Sequence, residues 1–154
     1  MNGVLKEILI SSDAGVEMNS ISEVFLEAGK GITGDRYFLN KGTFSERLAG
    51  LPDVEVTLIE KEEVDAFNAK TGKNYDPKDF RRNLVTSGIT LNDLVGKEFQ
   101  VGSVTLKGIR LCEPCAYLAG ILDNELMEHM VHKAGIRAQV VKSGKIQLND
   151  RITG

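Results

Sequence analysis

Hydrophobic positions along this chain come in short runs, most of them too short for a helix and separated by glycine-bearing turns. Val4 to Ile10 is apolar with a charged interruption, Ile21 to Leu26 leads into Gly29-Lys30-Gly31, and Val54 to Ile59 alternates in part through Val54, Val56 and Leu58. Each reads as a β-strand, because side chains alternate between the faces of a sheet and β-branched residues suit its pleated surface. Leu84 to Thr86 is a further strand that stops at Ser87-Gly88. Phe99 to Val101 and Val104 to Leu111 flank Gly102-Ser103, and Ile136 to Val141 and Ile146 to Leu148 flank Ser143-Gly144. A two-residue, glycine-containing gap between apolar runs predicts a β-hairpin at both places.

Helical spacing is rarer. Lys61 to Thr71 predicts a helix closed by Gly72, with Val64, Ala66, Phe67 and Ala69 as its buried face. Leu91 to Val95 predicts a single turn begun by Thr90 or Asn92, while Ala116 to Ile121 and Asn124 to His132 predict two short helices divided near Leu122-Asp123. Many short strands with glycine turns and few helices predict a mainly β fold, a barrel or closed sheet whose ends the helices cover. The elements do not alternate in the βαβ manner of a Rossmann domain. Gly31-Ile32-Thr33-Gly34 also lacks the spacing of a dinucleotide fingerprint or a phosphate-binding loop.

Composition narrows the classes of function. A chain of 154 residues fits one domain, 1–154, and can bury a core without disulfide staples. Net charge is −3 and the isoelectric point about 5.5, without the basic stripe of a nucleic-acid binder. No apolar run reaches the ~18 residues of a membrane span. Met1 to Ser11 carries Glu7 and no long apolar stretch, unlike a signal peptide. The expected location is the cytoplasm, where thiols stay reduced, and two cysteines there point to metal or catalytic chemistry before a disulfide.

Those cysteines are Cys112 and Cys115, in Cys112-Glu113-Pro114-Cys115 at the end of a predicted strand. Four readings stand open. The pair is half of a tetrahedral zinc site, to be completed by His129 and His132. It is a dithiol redox motif, though without the βαβ context such motifs favour. Cys115 is a single reactive thiolate near a helix N-terminus, where backbone N–H groups favour negative charge. Or both cysteines fill the core. Arg81-Arg82-Asn83 is either a solvated surface or an anion grip, since guanidinium forks match phosphate oxygens. In Gly31 to Phe38, the glycines permit close backbone approach and Asp35 can orient Arg36. His132 and Arg137 are candidates for the same end of the barrel, His132 equally for a helix C-terminus.

Taken in order, Gly31-Ile32-Thr33-Gly34-Asp35-Arg36-Tyr37, Arg81-Arg82-Asn83-Leu84-Val85-Thr86-Ser87-Gly88-Ile89, Leu94-Val95-Gly96, Val101-Gly102, Cys112-Glu113-Pro114-Cys115 and the closing Asn149-Asp150-Arg151-Ile152 resemble the MOSC domain family. That family is named for the C-terminal part of molybdenum cofactor sulfurase. The resemblance implies a MOSC-type β-barrel, pyruvate-kinase-like, with a few short helices. It also implies binding of the molybdenum cofactor, a molybdopterin. Cys115 matches the metal-ligating and catalytic cysteine. Ser12, Arg36, Arg81, Asn83 and Glu113 match or adjoin the cofactor-binding positions. Glu113 and Pro114 stand where reductase members often carry Ser and Arg, and Ser11 where a Lys is common. Three activities follow from the resemblance: cofactor binding or sulfur carriage through Cys115, reduction of N-hydroxylated compounds at molybdenum, and non-catalytic cofactor storage. The implied partners are a cysteine desulfurase or a molybdoenzyme, with an external electron donor for a reductase. Pyridoxal phosphate would enter only through a partner or fused relative. No nucleic acid or membrane is expected.

Overall fold

The computed structural model of the chain describes residues 2–13, 16–39, 55–112 and 129–154. The longest strand among the described residues, β1 (Asn2–Ile10), organises the fold because its two ends serve different neighbours. Asn2 to Val4 pair with β11 (Arg151–Thr153), Ile8 to Ile10 pair with β2 (Asn19–Ile21), and the opposite edge pairs with β6 (Leu84–Ser87). From β11 the ladder runs through β7 (Glu98–Val101), β8 (Val104–Leu111), β9 (Ile136–Lys142) and β5 (Val56–Glu60) back to β6. Seven strands thus close into a barrel, with β2 attached outside the ring. Closure removes the free edges that an open sheet would present. A second sheet consists of β10 (Gly144–Gln147), β3 (Glu23–Glu27) and β4 (Gly31–Ile32).

Alternation along the strands sorts side chains into two cores. Leu5, Leu58, Leu84, Phe99, Leu106 and Ile152 fill the barrel interior. Leu9, Ile59 and Val85 project from the outside of the same wall, where Val64 and Phe67 of α1 (Lys61–Thr71) cover them with Phe80 and Met130. Covering apolar wall residues with a helix removes them from water, and each large side chain so buried is worth roughly 1.5–3 kcal/mol. The helix ends at Gly72, which is left-handed (φ 71°) and donates its N–H to Asn68, the expected C-cap.

The Gly102-Ser103 hairpin joins β7 to β8 in the expected register, Val101 opposite Val104. Three expectations need correction, and one connection was not foreseen. β9 and β10 do not form a hairpin: β9 already pairs with β8 on one edge and β5 on the other, so β10 pairs with β3 in the second sheet instead. β5 and β6 are parallel and connected through α1, so one βαβ crossover exists within the barrel. The buried face of α1 is Val64 and Phe67, while Ala66 and Ala69 face solvent. The helix expected to reach His132 has ended by residue 130, and His132 is left-handed (φ 61°) in the turn that follows. The helix predicted over Ala116 to Ile121 lies outside the described residues. No helix among the described residues is long and apolar enough to cross a membrane.

Candidate functional site

Four stretches meet at one end of the barrel wall: the exit from β1, the turn after β4, the turn before β6, and the facing ends of β8 and β9. A chain of backbone and side-chain hydrogen bonds binds them. Leu9 N–H donates to the Asn83 carbonyl (2.7 Å) and Asn83 N–H to the Thr57 carbonyl (3.2 Å). The Asn83 side chain works inside the same joint. Its Oδ1 accepts from Thr57 N–H and from the Thr57 hydroxyl (3.1 Å each), and its Nδ2 donates to the Leu9 carbonyl (3.1 Å). Asn83 is wholly buried, so it splices β1 to β5 just before β6 begins.

The turn after β4 is built round a buried ion pair. Asp35 has no exposed surface, and its Oδ1 accepts from Ser11 N–H and from Arg36 Nη1 (3.2 Å each) while Oδ2 accepts from Tyr37 N–H (3.3 Å). A buried carboxylate is tolerated when its lone pairs are filled this way. Arg36 is 3% exposed, and its guanidinium also donates to Met18 Sδ (3.4 Å) and to the Arg81 carbonyl (3.0 Å) and lies over the Tyr37 ring at 4.9 Å. The Ser11 hydroxyl donates to the Asp13 or Val16 carbonyl, each at 2.9 Å.

Arg81 and Arg82 are neighbours in sequence and serve opposite sides of the site. The short 3-10 turn Pro77–Phe80, fixed by a reciprocal Asp76–Asp79 capping box, delivers Arg81 in the left-handed region (φ 59°, ψ 36°). That conformation costs a non-glycine residue about 1–2 kcal/mol, and such strain is concentrated at functional positions. From there Arg81, half-buried, donates Nη1 to the Val16 carbonyl (2.7 Å). Arg82 turns the other way and is buried. Its Nε donates to the Ala134 carbonyl (2.9 Å), Nη1 to Phe80 (3.1 Å) and Nη2 to Cys112 (3.4 Å). Among the described residues, all the hydrogen bonds of this buried cation go to carbonyl oxygens and none to a carboxylate. Carbonyl dipoles satisfy its N–H groups without cancelling its charge.

Cys112 is buried and donates its N–H to the Gly135 carbonyl (2.8 Å). Gly135 is left-handed (φ 99°), and a Cβ there would overlap the Leu58 carbonyl oxygen, so only glycine lets the chain pass this close to β5. Arg110 and Arg137 stand directly opposite one another on β8 and β9.

Of the residues nominated from sequence, Arg36, Arg81 and Asn83 are brought together, and Ser12 lies exposed on the same β1 exit. Glu113 and Cys115 lie outside the described residues. His132 uses its carbonyl to accept from Asn92 Nδ2 (2.8 Å) and sits in the turn that leads to Ala134. Sequence reasoning missed Thr57 and Met18. A lone polar residue in the apolar run Val56-Thr57-Leu58-Ile59 is a visible signal for the first; nothing local marks the second.

A family model described as the MOSC domain matches residues 45–153. None of the curated proteins matches this chain. Among solved structures, the YuaD protein from Bacillus subtilis is similar, with a TM-score of 0.85 at 17% identity over 99% of this chain and 94% of that one. YiiM from Geobacillus stearothermophilus gives 0.75 at 15% identity over 98% and 74%, and YiiM from Escherichia coli 0.71 at 19% over 99% and 69%. At these identities the likeness is one of fold.

Proposed function

Since the chain belongs to the MOSC domain family, we propose that it binds the molybdenum cofactor at this end of the barrel wall, with the Arg81 turn at the cofactor's phosphate and the Cys115 thiolate on its metal. One observation carries the electrostatic half of this reading. Among the described residues, Arg82 is a buried guanidinium held by carbonyls alone, beside a second arginine that remains half-buried. A pterin phosphate is an anion of the kind such a pair of arginines attracts, and the half-buried Arg81 is the guanidinium that would meet it. Arg36 and Asn83 serve from behind, since their side chains are committed to Asp35, Met18, Arg81, Thr57 and Leu9. Ser12, exposed on the β1 exit, offers a hydroxyl donor.

The other half is the soft ligand. A metal-binding cysteine must be deprotonated, and cationic surroundings favour the thiolate. Cys115 follows Cys112 by three residues, and Cys112 is fixed through both its N–H and its carbonyl. When bound, the cofactor supplies two-electron oxygen-atom chemistry at molybdenum. The chain's own part is to bind the phosphate, orient the pterin and offer sulfur.

The test is molybdenum and pterin content of protein produced with molybdate in excess. Cys115→Ala abolishes retention and Cys112→Ala keeps most of it. Equal loss from both changes indicates a dithiol or zinc site instead. A Cys115 persulfide without metal identifies a sulfur carrier, which would work with a cysteine desulfurase or a molybdoenzyme. Bound cofactor that reduces an N-hydroxylated base, given an electron donor, identifies a reductase. Bound cofactor with neither property identifies a storage module.

A further inference from the structure

Family resemblance puts Arg36 among the groups that grip the phosphate. We infer that it is instead a positioning residue: Arg36 holds the Arg81 backbone in its left-handed conformation, and the phosphate meets the guanidinium of Arg81. The inference rests on the reading of the Arg81 turn as an anion-binding element.

The Arg36 guanidinium is almost wholly buried and has three partners on three separate stretches of chain: Asp35 Oδ1, Met18 Sδ and the Arg81 carbonyl. One of its faces is covered by the Tyr37 ring. Its charge is already matched by the Asp35 carboxylate at 3.2 Å, so it adds little net attraction for an incoming anion. What it does supply is a charge-assisted hydrogen bond to the carbonyl of the one residue in the 81–83 turn whose backbone is strained. Arg81 N–H is bonded to the Lys78 carbonyl (3.1 Å), so the two bonds hold its peptide groups on both sides. Arg81 differs in exposure and reach: it is only half-buried, and its side chain extends to Val16 on the loop that also carries Ser12.

A planar fork is needed for this task. The point charge of a lysine cannot span a carboxylate, a thioether and a carbonyl at once. The experiment has two arms, both without molybdenum. In the first, the backbone of Arg81 is followed by NMR through its Cα shift and amide coupling in wild type, Arg36→Lys and Arg36→Gln. The left-handed signature is expected in wild type and lost in both variants, although lysine keeps the charge. In the second, inorganic phosphate is titrated into wild type, Arg36→Lys, Arg81→Ala and the double variant. Arg36→Lys is expected to weaken phosphate about tenfold in the wild-type background and to have no effect once Arg81 is alanine. In wild type the Arg81 Nε signal should move with phosphate and that of Arg36 should stay.

Three results overturn the inference: a left-handed Arg81 that survives both Arg36 changes, an Arg36→Lys loss of the same size in either background, or an Arg36 signal that moves with that of Arg81. Should Arg36→Lys fail to fold, the wild-type titration still decides. If wild type ignores phosphate while Arg81 loses its conformation in Arg36→Gln, the anion-site reading falls and the positioning role stands.

Discussion

The barrel interior and the polar joint at its end are held by different physics. Inside, Leu58, Leu84, Leu106 and their neighbours make non-directional contacts in which area buried matters more than identity. At the joint, Ser11, Asp35, Arg36, Thr57, Arg82 and Asn83 are equally buried, but each is fixed by named donors and acceptors. The interior supplies stability and tolerates exchange of similar residues. The joint spends some of that stability, in a buried ion pair and a strained arginine, on holding charge in place.

The sharpest break comes from removing the buried carboxylate. Asp35→Ala leaves Arg36 without its counter-ion and strips Ser11 N–H and Tyr37 N–H of their acceptor, so a loss of about 3–5 kcal/mol is expected. Denaturant melts should show it alongside loss of phosphate affinity. Leu106→Ala, in the interior, should cost about 2–5 kcal/mol and leave phosphate affinity intact in the fraction still folded. If both changes abolish affinity in proportion to stability, the distinction between the two regions fails.

A smaller effect tests the strain. Glycine accepts a positive φ at no steric cost, so Arg81→Gly should be more stable than Arg81→Ala by about 1 kcal/mol while both lose the anion. An alanine variant as stable as the glycine one would show that the left-handed conformation carries no strain.

The smallest effect is one of pH. Burial pushes the carboxyls of Glu55, Glu60 and Glu7 above their ordinary value of 4.5, against hydrogen bonds from Val140 and Gly29 to Glu55 and from Leu91 to Glu60. In that window the folded chain holds more protons than the unfolded one, so the contribution of these groups to stability falls as pH rises from about 4.5 through their raised values, and is flat above. Glu55→Gln keeps an acceptor for Val140 and should flatten part of that slope in a series of melting temperatures. An unchanged slope would mean that Glu55 is not among the groups responsible.

The barrel was readable because its rule is local. Alternation places Phe99 and Val101 on one face of β7, and a glycine marks each of the turns at 72 and 102. The parallel β5–β6 pair and the β9–β10 separation were not readable, because they depend on which strand edges are already taken. The joint was legible only in its charged members. Asp35 beside Arg36 is a contact between sequence neighbours, but Asn83 reaches 26 residues to Thr57 and 74 to Leu9, and Arg82 reaches 52 to Ala134. No periodicity encodes such pairings. Nor does the sequence show that Arg81 and Arg82 part company, which follows from the left-handed turn between them.

The most direct measurement is X-ray absorption at the molybdenum edge of the cofactor-loaded protein. A cysteine sulfur should appear among the metal's neighbours in wild type and in Cys112→Ala, and vanish in Cys115→Ala. A spectrum that is the same in wild type and Cys115→Ala would contradict the account.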